Sequence, residues 1–186
     1  MNRFANVIIC LVCLSSFWLP KAASHDNNNE IELFIFAGQS NMQGWKGDGK
    51  HYPEDKHNLD DSIKLYWTSP GISSSNKSWT HLKAQDGRFE QGHFGPEVSF
   101  SRAIAARGIS IAVFKYTLGG TNLANDWNKP GAGGMYDHMV TELAHAIKLL
   151  KREFHSVKIK SFIWVQGESD AKTIEMANAY ASNLKL

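Results

Sequence analysis

Ser40 is the residue of this sequence best placed to act as a nucleophile. It lies in the polar triplet Gln39-Ser40-Asn41, which follows the apolar run of residues 31–37 and Gly38. Branched and aromatic residues in such a run are typical of a buried strand. A glycine at the strand end permits a sharp turn that exposes a hydroxyl at the edge of a sheet. A plain strand-to-helix turn with Ser40 as the helix N-cap fits the same residues, so this stretch alone leaves both interpretations open.

Two later segments also have the composition of buried strands that end in glycine and small polar residues. Residues 109–116 precede Gly119-Gly120-Thr121-Asn122, and residues 157–165 precede Gln166-Gly167-Glu168-Ser169-Asp170. The carboxyl ends of parallel strands lie together at the edge of a sheet where ligands bind. We therefore expect both segments to converge on Ser40, which favours a functional role for this serine.

This convergence would supply part of an esterase site. A serine nucleophile needs a general base and hydrogen-bond donors for the developing oxyanion. The backbone N–H groups of Ser40 and Gly120 and the side-chain amide of Gln166 are candidate donors. The same residue types also have structural uses. Gln166 can satisfy loop carbonyls, and Glu168 and Asp170 can cap a following helix, a role that fits Asp170 particularly well.

The rest of the chain supplies the elements that must position these strand ends. The pattern predicts a strand at 62–67, a helix from Gly95-Pro96-Glu97 to Gly108, a helix from 135 to about 154, and a last helix from near Ala171. Strands that alternate with helices favour a parallel sheet with right-handed crossovers. The predicted fold class is therefore an α/β sandwich.

A long loop-like region, residues 44 to about 88, follows Ser40 directly. A loop of this length in a compact domain is usually a functional or lid-like insertion. Trp45, Trp67 and Trp79 lie within it. Core packing is the commoner role for such tryptophans, and a stacking surface for a sugar ring is the functional alternative.

The histidines give weak evidence for a base or a metal site. His138 and His145 lie seven residues apart on one predicted helix. No third ligand accompanies them, which favours partly solvated helix residues over a metal site. His57 and His93 each follow an acidic residue by three positions, and we expect both to be solvent-exposed. No metal and no cofactor are predicted.

Residues 1–24 have the features of a secretory signal peptide. Arg3 supplies a positive charge, residues 7–14 are apolar, and Ala22-Ala23-Ser24 offers small residues for cleavage. The apolar part is short for a membrane span, and a retained anchor is the minor alternative. Residues 25–30 are expected to form a disordered leader. Cleavage near Ser24 would remove both cysteines, so the sequence predicts a secreted protein, extracellular or periplasmic, without disulfides.

Composition and charge exclude other classes of function. The chain has 186 residues, of which 42% are hydrophobic and 20% charged, as expected for one domain with an ordinary core at 31–186. The formal net charge is only +2, and no run of lysines and arginines is interleaved with aromatic residues. Nucleic acid is therefore not a predicted partner.

Four motifs occur in order along the chain. They are Phe36-Ala37-Gly38-Gln39-Ser40-Asn41-Met42, Gly95-Pro96-Glu97, Gly119-Gly120-Thr121-Asn122 and Trp164-Val165-Gln166-Gly167-Glu168-Ser169-Asp170. Together they resemble the sialate O-acetylesterase domain, a family of carbohydrate esterases in the SGNH hydrolase superfamily. The resemblance covers roughly residues 30–186.

The resemblance implies a three-layer α/β/α sandwich with a parallel sheet, the flavodoxin-like fold of that superfamily. It also implies a metal-independent serine esterase that acts on acetylated sugars. Ser40 would be the nucleophile, with Gly120 and Gln166 as oxyanion donors. The remaining site residues would bind the substrate or shape its site: Gln39, Asn41, Gly119, Thr121, Asn122, Glu168 and Asp170.

One feature of the family is missing from its usual place. The family carries its general base in an Asp-x-x-His segment beyond the Gln-Gly-Glu-Ser-Asp block, and this chain has no histidine after Asp170. The resemblance therefore implies an incomplete domain that lacks its C-terminal part, including the last strands of the sheet. A serine without its base loses most of its rate.

Three functions stay open at this point. The first is a secreted carbohydrate O-acetylesterase. The second is a non-catalytic or vestigial carbohydrate-binding protein, which the missing histidine motivates. The third is a lipase-like SGNH esterase for long acyl chains, which the lack of a long apolar lid disfavours.

Overall fold

A mixed sheet flanked by helices forms the body of the protein. The computed structural model describes residues 30–185, so the predicted signal peptide and most of the predicted leader lie outside the described residues. The strands are β1 (Glu30–Gly38), β2 (Lys64–Ser69), β3 (Ser73–Ser74), β4 (Thr80–His81), β5 (Ile111–Thr117) and β6 (Ser156–Val165). The helices are α1 (Ser40–Gln43), α2 (Glu97–Ala105), α3 (Met135–Glu153) and α4 (Ile174–Asn183).

The sheet places β1 between β5 and β6, one strand away from an edge. The strand order is β3-β2-β5-β1-β6, with β4 paired to β2. Strands β2, β5, β1 and β6 are parallel, while β3 and β4 run antiparallel to β2. Gly38 at the end of β1 is in register with Thr117 of β5 and Val165 of β6. The three strand ends therefore meet, which confirms the convergence expected from the sequence.

Helices cover both faces of the sheet. Along β1, Leu33, Ile35 and Ala37 pack into one core together with Met139, Ala146 and Leu150 of α3. The alternate residues Phe34 and Phe36 pack into the other core together with Val98 of α2. This alternation follows from the opposite directions of successive side chains on a strand. The three-layer α/β/α architecture is confirmed.

The long region after α1 is not a lid. Strand β2 lies inside the sheet beside β5, and Ile63, Leu65, Tyr66 and Trp67 are buried. The prediction of a lid-like insertion is therefore wrong. Its strand was found from the alternation of polar and apolar residues, but it runs two residues further than predicted.

The last helix begins later than the sequence indicated. Residues Asp170–Lys172 form a separate 3₁₀ turn, and α4 starts at Ile174. The side chain of Thr173 accepts a hydrogen bond from the backbone N–H of Met176 and so caps α4. The prediction that Asp170 caps this helix is wrong, because Thr173 takes that position.

A buried ion pair joins β5 to α2. The side chains of Lys115 and Glu97 are both fully buried, with the Lys115 ammonium 2.7 Å from Oε2 of Glu97. Lys115 also donates to the backbone oxygen of Gln43, at 3.0 Å. Oε1 of Glu97 accepts from Nε2 of Gln85 and from the backbone N–H of Gly95, at 2.7 and 2.9 Å. Burial lowers the pKa of Lys115, and the charge of Glu97 opposes that shift.

His93 is completely buried beside this ion pair, contrary to the exposure predicted from the sequence. Its backbone pairs with Gln85, which turns the side chain inward. Neither ring nitrogen has a hydrogen-bond partner among the described residues. Burial, reinforced by the positive charge of Lys115, lowers the pKa of His93 to about 4. The imidazole is therefore neutral at physiological pH.

We expect Lys115→Met to lower the free energy of unfolding by about 3–5 kcal/mol, because it leaves the carboxylate of Glu97 buried without a counter-charge. The double variant Lys115→Met/Glu97→Gln removes both charges and keeps an acceptor for Gln85 and Gly95. It should recover most of the loss. Urea denaturation of the three proteins measures the difference. An equal loss in the single and double variants would contradict this account.

The decrease of the free energy of unfolding at acid pH should depend on His93. Its pKa is lower in the folded than in the unfolded protein, so the unfolded state binds more protons between about pH 6.5 and pH 4. Stability should be complete above pH 6.5 and fall as the pH drops through this window, by on the order of 1–3 kcal/mol. His93→Leu should flatten that slope in denaturation measured across the window. The control His57→Gln, at an exposed histidine, should leave the slope unchanged; a slope equally steep in both variants would refute the assignment.

Candidate functional site

The site lies where β1, β5 and β6 end. The backbone N–H of Gln39 donates to the carbonyl of Val165, and that of Leu118 donates to the carbonyl of Gly38, at 3.0 and 3.2 Å. Gly38 has a φ of +146°, and a Cβ at this position would lie 2.0 Å from the oxygen of Val165. Only glycine permits this approach of the two strand ends.

Ser40 begins a single helical turn, α1, directly after the end of β1. Helix α1 has no side-chain cap, and it is followed by Gly44, whose N–H donates to the carbonyl of Ser40. The alternative in which Ser40 caps the helix is therefore wrong. Ser40 is half-buried, and neither its hydroxyl nor its backbone N–H has a hydrogen-bond partner among the described residues. The hydroxyl is therefore not engaged by another described side chain or backbone group.

Gln166 ties the three strand ends together. Its Nε2 lies 3.2 Å from Oε1 of Gln39, 3.0 Å from the carbonyl of Thr121 and 2.5 Å from Oδ2 of Asp170. These three acceptors engage both hydrogens of the amide, and Oε1 of Gln166 is buried without a partner. Gln166 thus satisfies a loop carbonyl, the structural alternative left open by the sequence. Donation from Gln166 to an oxyanion stays a prediction.

Asp170 and Thr121 are buried, with 1% and 5% of their surface exposed. Both carboxylate oxygens of Asp170 accept from the backbone N–H of Leu123, at 3.0 Å. The hydroxyl of Thr121 donates to the carbonyl of Leu118 and accepts from the indole N–H of Trp127. The structure thus places both side chains inside the protein, where they hold the loop after β5 instead of facing a substrate.

Asn41, Asn122 and Glu168 lie nearer the surface. The side-chain amide of Asn41 donates to Oε1 of Glu168, and both residues are exposed. Oδ1 of Asn122 accepts from the backbone N–H of Asn125 and begins a turn at Leu123–Trp127. The amide nitrogen of Asn122 has no partner among the described residues. Contact of these three residues with a substrate stays a prediction.

Gly119 and Gly120 differ in their hydrogen bonding. The N–H of Gly119 donates to Oε1 of Gln43 at 3.0 Å. Gly120 is exposed, has a φ of +81°, and its N–H has no acceptor among the described residues. Two unpaired backbone donors, on Ser40 and on Gly120, therefore stand at adjacent strand ends. Such a pair can stabilise negative charge on an oxygen.

The three tryptophans of the long region have different surroundings. Trp67 is buried in the core, and Trp79 is half-buried with its indole N–H bonded to the carbonyl of Ala146. Trp45 is 40% exposed. Its ring carbons lie 3.3 Å from the point where a Cβ on Gly119 would stand. The guanidinium of Arg88 stacks on the Trp45 ring at 3.2 Å from the centroid. Trp45 is thus the tryptophan that borders the site.

No histidine of residues 30–185 forms a hydrogen bond with Ser40. His57 is exposed, as predicted, and His138 and His145 are exposed on α3. An Asp-x-x-His segment does occur upstream, at Asp48 to His51, and it was not among the sequence-based candidates. Its carboxylate bonds to the backbone N–H and ammonium of Lys50 instead of the histidine.

The described part of the chain contains no group of three or more histidine, cysteine, aspartate or glutamate side chains that could bind a metal ion. None of its helices is both long enough and apolar enough to cross a membrane.

Gln43, Lys115 and Glu97 are the residues near the site that the sequence interpretation missed. All three are fully buried. For Lys115 the available signal was a charged side chain inside a segment that is otherwise apolar, whereas Gln43 and Glu97 lie in polar or mixed segments that give no such signal. Lys115 stands in the middle of a strand predicted to be buried, where an unpaired lysine is very costly.

Comparison with known proteins gives a consistent result. The model of the family described as "carbohydrate esterase, sialic acid-specific acetylesterase" matches residues 30–186. A probable carbohydrate esterase of Arabidopsis thaliana is 28% identical over 173 residues, which cover 82% of this chain and 60% of the relative. The chain thus spans about 60% of the length of this curated relative.

Two solved structures were found to be similar to the structure of this chain. The crystal structure of the same Arabidopsis protein has a TM-score of 0.56 at 24% identity. The matched region covers 83% of this chain and 64% of the Arabidopsis chain. A carbohydrate acetylesterase from Xanthomonas citri has a TM-score of 0.46 at 19% identity, with 83% and 35% coverage. The first supports the same fold. With the family model matching all but the first 29 residues, the chain belongs to the carbohydrate esterase family of sialic acid-specific acetylesterases.

Proposed function

We propose that this chain carries the nucleophile of a secreted serine esterase that removes O-acetyl groups from carbohydrate. The observation that carries the proposal is the free hydroxyl of Ser40 beside the unpaired N–H groups of Ser40 and Gly120. Membership of a carbohydrate acetylesterase family supports the same chemistry.

The reaction follows from these groups. The hydroxyl oxygen of Ser40 attacks the acetyl carbonyl, and the carbonyl oxygen takes up the negative charge next to the two N–H donors. Collapse of this intermediate breaks the ester bond, releases the sugar hydroxyl and leaves acetyl-Ser40. Water then attacks the acetyl group, releasing acetate and restoring the serine. The reaction also needs a general base that takes the proton from each nucleophile and returns it to each leaving group, and no histidine among residues 30–185 is hydrogen-bonded to Ser40.

The substrate proposed for this site is an acetylated sugar or polysaccharide. The exposed ring of Trp45 beside Gly119 offers an aromatic border to the site, and the hydrogen-bonded pair Asn41 and Glu168 offers polar groups at its rim. Sugars combine apolar ring faces with hydroxyl groups, so this mixture of surfaces suits them.

A non-catalytic carbohydrate-binding protein is the second candidate. The specific observation in its favour is that no histidine of residues 30–185 hydrogen-bonds to Ser40. Without a base the hydroxyl is a weak nucleophile, although an oxyanion site alone retains some catalysis. Measured acetate release separates the two candidates.

We expect the wild-type chain to release acetate from 4-nitrophenyl acetate and from acetylated xylan. Ser40→Ala should reduce kcat/KM, because it removes the attacking oxygen, and the reduction should reach about 10³-fold where a general base activates Ser40. Ser99→Ala, at an exposed serine of α2, should keep wild-type activity. Acetate is measured by a coupled assay, with circular dichroism to confirm that each variant folds.

Two outcomes would count against the esterase. Equal activity in wild type and Ser40→Ala would show that Ser40 is not the nucleophile. A folded wild-type protein that binds acetylated sugar without releasing acetate would favour the carbohydrate-binding candidate.

Secretion of the chain is part of the proposal and has its own test. When the full sequence is expressed in a secretory host, we expect a product that begins near Ser24, found outside the cytoplasm. Leu11→Arg, in the apolar stretch, should keep the product inside and uncleaved, because a charge there disrupts a signal peptide. Intact mass and cell fractionation measure both. Secretion unaffected by this change would contradict a signal peptide.

A further inference from the structure

Gln43 joins two of the strand ends that form the site. It is the last residue of α1, three positions after Ser40, and its side chain is fully buried. Its Oε1 accepts from the backbone N–H of Gly119 at 3.0 Å, and its Nε2 lies 3.5 Å from the hydroxyl of Ser69. One side chain thus connects the turn that carries Ser40 with the loop that carries Gly120.

The backbone of Gln43 is itself fixed. Its carbonyl accepts from the ammonium of Lys115, which is held in turn by Glu97. Its N–H donates to the carbonyl of Gln39, at 2.8 Å. Because the helical turn is anchored to a buried ion pair, the acceptor offered to Gly119 has little freedom to move.

Gly119 is confined on a second side by Trp45. A Cβ at Gly119 would stand 3.2 Å from Oε1 of Gln43 and 3.3 Å from the Trp45 ring. Trp45 is held by Arg88, which stacks on its ring and donates from Nε to its carbonyl at 2.6 Å. Gly119 therefore sits between an amide oxygen and an indole ring.

The position of Gly119 determines where the next N–H points. Gly120 has a left-handed φ of +81°. A Cβ added at this position would have no neighbouring atom within 4 Å. Neither the N–H nor the carbonyl of Gly120 forms a hydrogen bond with another described residue. The bonds of Thr121 hold the loop on the far side of Gly120. On the side of the Gly120 N–H, the hydrogen bond from Gly119 to Gln43 is the constraint that orients this donor relative to Ser40.

We propose that Gln43 is a positioning residue that holds the Gly120 N–H in place as an oxyanion donor. This inference rests on the proposed esterase function. Gln43 does not contact the substrate; it acts through Gly119. Its loss should affect the transition state, in which charge develops on the oxygen, more than it affects the binding of the ground state.

The test compares three variants by steady-state kinetics on 4-nitrophenyl acetate. Gln43→Met keeps the length of the side chain but removes the acceptor, and we expect kcat to fall about 10- to 100-fold with KM little changed. Gln43→Glu restores an acceptor of the same length and should recover most of kcat. Ser69→Ala removes the other partner of Gln43 and should change kcat less than about two-fold, because it leaves the bond to Gly119 intact.

A second measurement does not depend on any variant. Hydrogen exchange of the Gly119 amide in the wild-type protein should be slow for a half-exposed loop, because this N–H is bonded to Gln43. A Gly119 amide that exchanges at the rate of an unprotected peptide would overturn the inference even if Gln43→Met does not fold.

The inference and the proposed function fail in different ways. Lack of acetate release by wild type, or activity that survives Ser40→Ala, overturns the esterase and with it the catalytic role of Gln43. An active wild type in which Gln43→Met alters only thermal stability or KM overturns the positioning role alone. Equal losses of kcat in Gln43→Met and Gln43→Glu also overturn it, since the acceptor would then not be the cause.

Discussion

The ion pair between Lys115 and Glu97 is the constraint on which the site depends most. Both groups are fully buried, and two buried charges are tolerated only when they pair and satisfy their remaining hydrogen bonds. Lys115 also donates a hydrogen bond to the carbonyl of Gln43, and Glu97 also accepts hydrogen bonds from Gln85 and Gly95. These bonds are directional, unlike apolar contacts. They therefore fix the angle of α1 and α2 against β5, and so the place of Ser40 relative to the loop after β5.

The parallel sheet determines where the strand ends lie relative to one another. With β1 between β5 and β6, three chain segments leave the sheet at the same level, and each carries polar groups. Most of those groups bond to one another, as Gln39, Gln166 and Asp170 do. The groups left without partners among the described residues include the hydroxyl and N–H of Ser40 and the N–H of Gly120. A network of satisfied polar side chains thus presents a small number of unsatisfied ones, which is how a rigid site is prepared for a reaction.

Elements with a clear local pattern were predictable. The helix at Met135–Glu153 follows from apolar residues at helical spacing, and its end lies within one residue of the prediction. The strand ends follow from glycine and polar residues after apolar runs. Errors arose where local signals compete. Asp170 and Thr173 both suit a helix cap, and only the bond from Leu123 to Asp170 decides between them. The strand at Lys64–Ser69 was found, but its place inside the sheet depends on pairing with β5, a contact distant in sequence.

The sequence by itself determined the α/β class, the edge of the sheet at which the candidate site lies, and Ser40, Gly119 and Gly120 as residues that meet there. Periodicity and strand-end composition are local properties, and the parallel arrangement then brings the ends together. Only the tertiary structure decided which polar groups are free and which are engaged. It buried His93, paired Lys115 with Glu97, turned Gln166 toward Thr121 and Asp170, and placed Gln43 against Gly119. A polar side chain bonds to whichever partner the packing brings within about 3 Å, and that partner lies far away in the chain.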